Sequence, residues 1–328
     1  MGSLLSFYLC AQAEVWLLDP WREHVAAIRG AGLCCERDGA AETRHPRATS
    51  DPAEIGACDA VLVLVKAHQT AWAAERAIYL LKPDSITDKV TRWHGDRVTT
   101  HEAGITPSPP HPLTLSQTLI VTLQNGVGNR ALLAAALGGG RVGQAVTALG
   151  ATLLGPGRVR HAGQGATVFG AAPDCAGMAA LAELFGACGL PAELADDLDA
   201  LVWGKLVVNV GINALTALLR VPNGALAELP AARELLAAAV AEAAAVARAR
   251  GTALPYADPL AHVLAVAQAT AANRSSMLQD VLRGSPTEIA TINGAVVREG
   301  ARLGVPTPVN QALALLVQAL DASPAARI

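Results

Sequence analysis

Leu119-Ile-Val-Thr-Leu123-Gln124-Asn125-Gly126 is the stretch that decides the fold class. A short, largely apolar run ends abruptly in a polar Gln-Asn-Gly turn. Ala60-Val-Leu-Val-Leu-Val65-Lys66 has the same form. Short apolar runs closed by turn residues read as strands buried within a sheet. Two more candidate strands are Glu14–Leu18 and Val142–Leu149, and helix-like stretches such as Arg22–Gly30 and Asn129–Leu137 lie between strands. Strand and helix in alternation argue for a parallel sheet with crossover helices. From about Ala195 onward the pattern is helical only. Alanine-rich runs such as Leu235–Ala249 favour helix, because alanine loses no side-chain entropy there. The expected architecture is therefore an α/β domain over 1–194 followed by an all-α domain over 195–328.

Two stretches depart from a regular dinucleotide-binding plan. Such a fold opens with a strand and a Gly-x-Gly-x-x-Gly turn. Here the chain starts with a helical pattern, and the first strand pattern comes only at Glu14. Gly2 fits the last glycine of that turn; the first strand and the other two glycines are expected to be absent. The second departure is Asp88–Gln117, a polar run with proline and histidine that reads as a disordered insertion. A retained intron and an ordinary surface insertion both account for it. Structureless loops of this length are uncommon inside compact domains.

Composition narrows the function classes. The chain has 328 residues, 52% hydrophobic and 16% charged, with a formal net charge of −3. That is a globular composition with no basic stripe, so nucleic acid is not an expected partner. Leu206–Leu219, the longest apolar candidate, carries Asn209 and Asn213 and falls short of the ~18 apolar residues of a membrane span. No basic leader or cleavage site is visible. The six cysteines form no C-x-x-C pair and read as reduced thiols of a cytoplasmic protein. The eight histidines are scattered, so no metal site is expected.

Four polar constellations carry the candidate chemistry. In Trp203-Gly-Lys205-Leu-Val-Val-Asn209-Val-Gly-Ile-Asn213, the three polar side chains recur every fourth residue and share one helix face. Buried unpaired amides cost ~1–3 kcal/mol, so the stripe needs a partner. One reading is a cleft lined by the stripe, with Lys205 as proton donor at a pKa lowered by desolvation. The other is structural asparagines bonded to nearby backbone. The second constellation is Asn273-Arg-Ser275-Ser276-Met-Leu-Gln-Asp280 with Ser285-Pro-Thr-Glu288. Ser276 with Gln279, and Ser285 with Glu288, fit capping boxes, and Pro286 fits a first helical turn. The third is Gln124-Asn125-Gly126 with Lys66, each just past the end of a strand, where ligands of parallel sheets bind. Plain turn chemistry explains both as well. The fourth is Asp19, placed to accept ribose hydroxyls of NAD and to repel a 2′-phosphate; a surface turn with Pro20 is the alternative.

In joint order and spacing these pieces resemble the ketopantoate reductase (2-dehydropantoate 2-reductase) family. The resemblance runs from Asp19-Pro-Trp-Arg through Val65-Lys66-Ala-His-Gln69, Gln124-Asn125-Gly126, Trp203-Gly-Lys205, Val221-Pro-Asn223-Gly, Asn273–Asp280 and Pro286-Thr-Glu288 to Gly304–Asn310. It implies a Rossmann-like first domain and an NAD(P)H-dependent reduction of a branched 2-keto acid to a 2-hydroxy acid, pantoate, in pantothenate biosynthesis. The family favours NADPH, whereas Asp19 leans toward NADH. By resemblance, Lys205 is the general acid and Glu288 its substrate-orienting partner. Asn209, Asn213, Asn273 and Ser276 resemble substrate-binding residues. Gly2, Asp19, Lys66, Gln69 and Asn125 resemble cofactor-binding ones. A small 2-keto acid is the expected partner, with no membrane, and a homodimer is left open. Without a first strand its two neighbours keep unpaired edges and the pyrophosphate loses backbone donors, so weak cofactor binding is expected. A catalytically impaired or non-enzymatic relative, or a reductase of another 2-keto acid, is the competing reading.

Overall fold

The computed structural model describes residues 1–82, 115 and 117–323. The expected insertion at Asp88–Gln117 lies outside the described residues except for Leu115 and Gln117. The chain forms two compact units. The first comprises Met1–Val65, Gln69–Leu123 and Arg130–Asp196; the second comprises Lys66–His68, Gln124–Asn129 and Asp197–Ile328.

The first unit begins with helix α1 (Gly2–Leu9), strand β1 (Trp16–Leu18) and helix α2 (Arg22–Ala31). Strands β2 (Leu33–Arg37), β3 (Ala40–Arg44), β4 (Arg47–Thr49) and β5 (Ala60–Val63) follow, then helix α3 (Thr70–Ala77) and strand β6 (Leu119–Thr122). Helix α4 (Asn129–Leu137) leads to β7 (Val142–Thr147), β8 (Gly150–Gly155), β9 (Arg158–Gly163) and β10 (Thr167–Gly170). Helix α5 (Cys175–Ala187) and β11 (Ala192–Ala195) complete it. The sheet order is β11-β10-β7-β6-β5, with β5, β6 and β7 parallel and β10 antiparallel to β7. The expected Rossmann-like α/β domain is present, and its sheet, parallel over β5, β6 and β7, turns mixed at β10. A four-stranded sheet of order β3-β2-β9-β8 was not legible from the sequence.

Strand β1 pairs in parallel with β4 alone, and β5 with β6 alone, among the described residues. The consequence shows in burial. All four residues of β6 are buried, whereas Ala60, Val61 and Leu62 of the equally apolar β5 are only partly so. Each of these two strands keeps one edge of N–H and C=O groups outside a ladder. The core beneath them gathers Leu4, Leu5 and Phe7 of α1 with Leu17, Leu33, Val121, Phe169 and Phe185.

The second unit is helical: α6 (Asp199–Leu219), α7 (Ala225–Glu228), α8 (Pro230–Arg250), α9 (Pro259–Ala269), α10 (Ser276–Arg283), α11 (Asn293–Leu303) and α12 (Pro308–Ala322). Helix α6 is its axis. Trp203, Leu206, Val207, Val210 and Leu215 are almost wholly buried against α8, α9 and α12 residues such as Leu236, Val240, Val263 and Val317. Gly211 allows this packing, since a Cβ there would stand 2.8 Å from Val263 and 2.9 Å from Val240. By length and hydropathy α6 passes as a membrane span, contrary to the sequence expectation, but 72% of its apolar window is buried inside the structure. Helix α6 is a core helix of its own unit.

Candidate active site

The second unit owes its polar cluster to two short segments that leave strands. Lys66–His68 follows β5, and Gln124–Asn129 follows β6. Both converge on Glu288, which is 5% exposed. The Ala67 N–H donates to Glu288 Oε1 at 3.2 Å, and the Asn125 amide donates to Oε2 at 3.3 Å. The Lys66 ammonium lies 3.8 Å from Glu288 Oε2 and donates at 2.6 Å to Asp280 Oδ2.

Gly126 is needed here for more than turn chemistry. It has φ +80°, and a Cβ would come within 2.3 Å of the Thr291 carbonyl oxygen. The Val127 N–H donates to that same oxygen at 3.1 Å. The loop therefore docks by its backbone on the 3-10 turn Ile289–Thr291, directly after Glu288. Thr287 is fixed in turn, its hydroxyl donating to Asp321 at 2.6 Å.

Lys205, Asn209 and Asn213 lie on consecutive turns of α6, one polar stripe on an apolar helix. Lys205 keeps some residue exposure, but its ammonium is deeply enclosed. Burial brings its pKa from 10.5 down to about 8, while the negative charge of Glu288 pulls the other way. Desolvation disfavours the charged form of a lysine, so the larger cause sets the sign. The side-chain amides of Asn209 and Asn213 have no hydrogen-bond partner among the described residues, although Asn213 is 5% exposed. The reading of these asparagines as backbone braces therefore does not hold.

The capping expectations are corrected. Ser275, not Ser276, caps α10, accepting from the Leu278 N–H at 3.1 Å. The Gln279 amide donates to the Arg274 carbonyl instead of closing a box. Ser276 is thereby left exposed at the first position of α10, and Asn273 is exposed before it. Ser285 and Pro286 start no helix; Glu288 instead precedes the 3-10 turn.

The remaining expected residues belong to the first unit. Gly2 opens α1 and faces β1, where a Cβ would meet Leu17 at 3.5 Å, an ordinary contact. Asp19 follows β1, and its Oδ1 accepts from the Trp21 N–H at 2.9 Å. The turn chemistry anticipated for it is thus present. Gln69 is part-buried at the end of the turn Ala67–Gln69.

Asp280 joins the cluster although its sequence motif gives it no role. One signal in the sequence points to its surroundings. Of 25 lysines and arginines, only Lys66, Lys82, Lys89 and Lys205 are lysines. Two of these four sit in this cluster. Arginine cannot give up its proton, whereas a buried lysine can.

Two family models cover most of the chain. The model described as ketopantoate reductase PanE/ApbA matches residues 1–87 and 108–174, and its C-terminal counterpart matches 197–321. The chain belongs to this family. Residues 88–107 are passed over by the match. The 2-dehydropantoate 2-reductase of Halobacterium salinarum is 34% identical over 97% of this chain and 95% of that protein. The crystal structure of a PanE/ApbA family ketopantoate reductase from Ralstonia eutropha superposes with a TM-score of 0.81 at 31% identity, over 98% of this chain and 97% of that one. A D-mandelate dehydrogenase structure holding NADH and anilino(oxo)acetate matches at TM-score 0.80 and 25% identity, over 98% and 95%. At the family level the chain is an NAD(P)H-dependent 2-keto acid reductase.

Proposed function

We propose that this chain reduces a branched 2-keto acid of the 2-dehydropantoate type, with Lys205 as the group that protonates the carbonyl oxygen. The observation that carries the reading is a deeply enclosed lysine, its pKa brought down to about 8 by burial and supported by the charge of Glu288, at the head of a stripe of amides with no partner among the described residues. A reduced nicotinamide, when bound, supplies the hydride that the 2-carbon receives.

The chain's own residues do the rest. Lys205 Nζ holds a proton at neutral pH and is acidic enough to release it to an oxygen that is gaining negative charge. Its charge, with the neighbouring amides, stabilises that oxygen. Asn209 and Asn213 continue the stripe along α6 and donate to the substrate's polar atoms, as do Asn273 and Ser276 from the exposed start of α10. Glu288 accepts a substrate hydroxyl and keeps Lys205 protonated up to the working pH. Its orientation is fixed by the Ala67 N–H and the Asn125 amide.

Two sets of residues would hold the cofactor. Lys66 and Asn125, with Gln69, supply donors of the kind a nicotinamide nucleotide takes. Gly2 opens a helix beside β1, and Asp19 follows that strand, the positions for pyrophosphate and ribose in a dinucleotide fold. Asp19 favours NADH, because its carboxylate repels a 2′-phosphate. The division of labour is a cofactor-binding domain over 1–194 and a substrate domain over 195–328, on a small-molecule substrate, as a cytoplasmic enzyme.

The test is turnover with purified chain, following the absorbance of NADH and NADPH with 2-dehydropantoate and with aryl 2-keto acids. Oxidation of the cofactor with 2-dehydropantoate, lost in Lys205→Met, is the expected result. Turnover only with the aryl substrates would move the assignment to another 2-keto acid. A second reading, a relative with impaired turnover, draws on the single pairing of β1 and β5. It is favoured if neither cofactor changes its fluorescence on titration with the chain.

A further inference from the structure

The cluster contains one charged group that neither the sequence motifs nor the proposed chemistry uses. Asp280 is 5% exposed, on α10, and its carboxylate takes the Lys66 ammonium at 2.6 Å. The same ammonium stands 3.8 Å from Glu288. Glu288 meanwhile is held by two uncharged donors, the Ala67 N–H and the Asn125 amide. Two carboxylates thus compete for one ammonium, and the geometry is resolved in favour of Asp280.

We propose that Asp280 is a positioning residue: it holds the Lys66 ammonium off Glu288, so that the charge of Glu288 remains available to Lys205. The inference rests on the reading of Lys205 as proton donor. The physics is local. An ammonium prefers a short charge-assisted hydrogen bond to a looser contact. With Asp280 neutral, Glu288 is the remaining carboxylate beside Lys66 among the described residues, at little more than an ångström of travel. Glu288 would then share its charge with Lys66, and its support of the Lys205 proton would weaken. The placement of Asp280 is built in. Ser275 caps α10, and the Ser285 N–H donates to the Asp280 carbonyl at 2.9 Å at its far end. The charged groups acting on Asp280 are Lys66, Glu288 and Arg283, and Glu288 is the one acting on Lys205.

The experiment uses the full chain labelled with 13C at lysine Cε, which gives signals from Lys66, Lys82, Lys89 and Lys205 alone. Lys82→Arg and Lys89→Arg assign two of them. In Asp280→Asn the Lys205 titration midpoint should fall by roughly one pH unit, the usual size of one neighbouring charge. Lys82 and Lys89 should not move. Asp280→Glu, which restores the charge, should return Lys205 toward the parent midpoint. Lys66→Met removes the positive charge that stands 3.8 Å from Glu288, so Lys205 should titrate higher. In the Lys66→Met background, Asp280→Asn should shift Lys205 by less than half as much. A purely structural Asp280 would leave Lys205 unmoved in the folded variants, or would give the same shift with and without Lys66; either result overturns the proposal. If Asp280→Asn does not fold, Asp280→Ser takes its place in both backgrounds, with the same outcomes for and against. Absence of turnover in the parent chain would sink the reductase reading and leave these titrations intact.

Discussion

Replacing Lys205 by methionine should make the protein more stable and less active at once. The native state holds this ammonium in a site that brings its pKa from 10.5 to about 8. The unfolded chain keeps its proton to the higher value. Between those two values the unfolded state binds more protons, so native stability rises with pH. Near pH 7 the lysine is charged in both states, and its burial costs the native state up to about 3 kcal/mol, each tenfold change in proton affinity being worth ~1.4 kcal/mol. Methionine has nearly the same shape and no charge. Lys205→Met should therefore gain most of that amount near pH 7. From about pH 7 to about pH 9.5 the parent should recover about 2 kcal/mol relative to the variant. Urea unfolding of both proteins at the two pH values measures this, and the comparison cancels every other titrating group. A variant less stable than the parent near pH 7, or a difference that ignores pH, would refute the reasoning. Turnover should fall by ~10²–10⁴, the usual share of a general acid.

Four further outcomes follow from the same geometry. Asn213→Ala should leave stability nearly unchanged, because its amide has no partner among the described residues, yet raise KM for the keto acid about tenfold; a clear loss of melting temperature would return this residue to a structural role. Glu288→Gln removes the charge that supports the Lys205 proton, so the alkaline limb of the rate profile should move to lower pH; steady-state kinetics across pH will show it. Gly126→Ala should destabilise the second unit by ~2 kcal/mol or more, from its left-handed backbone and the clash with Thr291, read by thermal melting. His24 is held neutral by burial below its usual 6.5, with Nδ1 accepting from the Gly157 N–H, so its contribution is present above 6.5 and is lost as pH falls through the lower native value; unfolding curves of the parent and His24→Asn should converge in acid.

The parts of the fold legible in the sequence are those with one dominant signal. β5 and β6 were readable because they are continuous apolar runs, and α4 was found at its observed bounds. β3 and β9 were not, because Ala40–Arg44 is exposed along most of its length and Arg158–Gly163 carries charge on its outward face. Alternation of that kind in five or six residues is easily mistaken for loop. At the site, the α6 stripe was legible from spacing alone, since helical geometry turns a four-residue repeat into a face. Whether its amides were braces or ligand donors was not, because that depends on what lies opposite. Ser275 and Ser276 show the same limit: either could cap α10, and only the fold decides which hydroxyl is used and which is left over. Asp280 carried no signal, being one acid in an amphipathic helix. Its meaning comes from Lys66, which is 214 residues away in sequence.

The most direct test is the pH dependence of kcat/KM for keto acid reduction between about pH 6 and about pH 10. Donation from Lys205 predicts a level rate in the neutral range and a tenfold fall per pH unit above a midpoint near 8, with no such limb in Lys205→Met. A rate that stays level through the alkaline range, or a limb that survives when the lysine is gone, would mean that the proton comes from somewhere else.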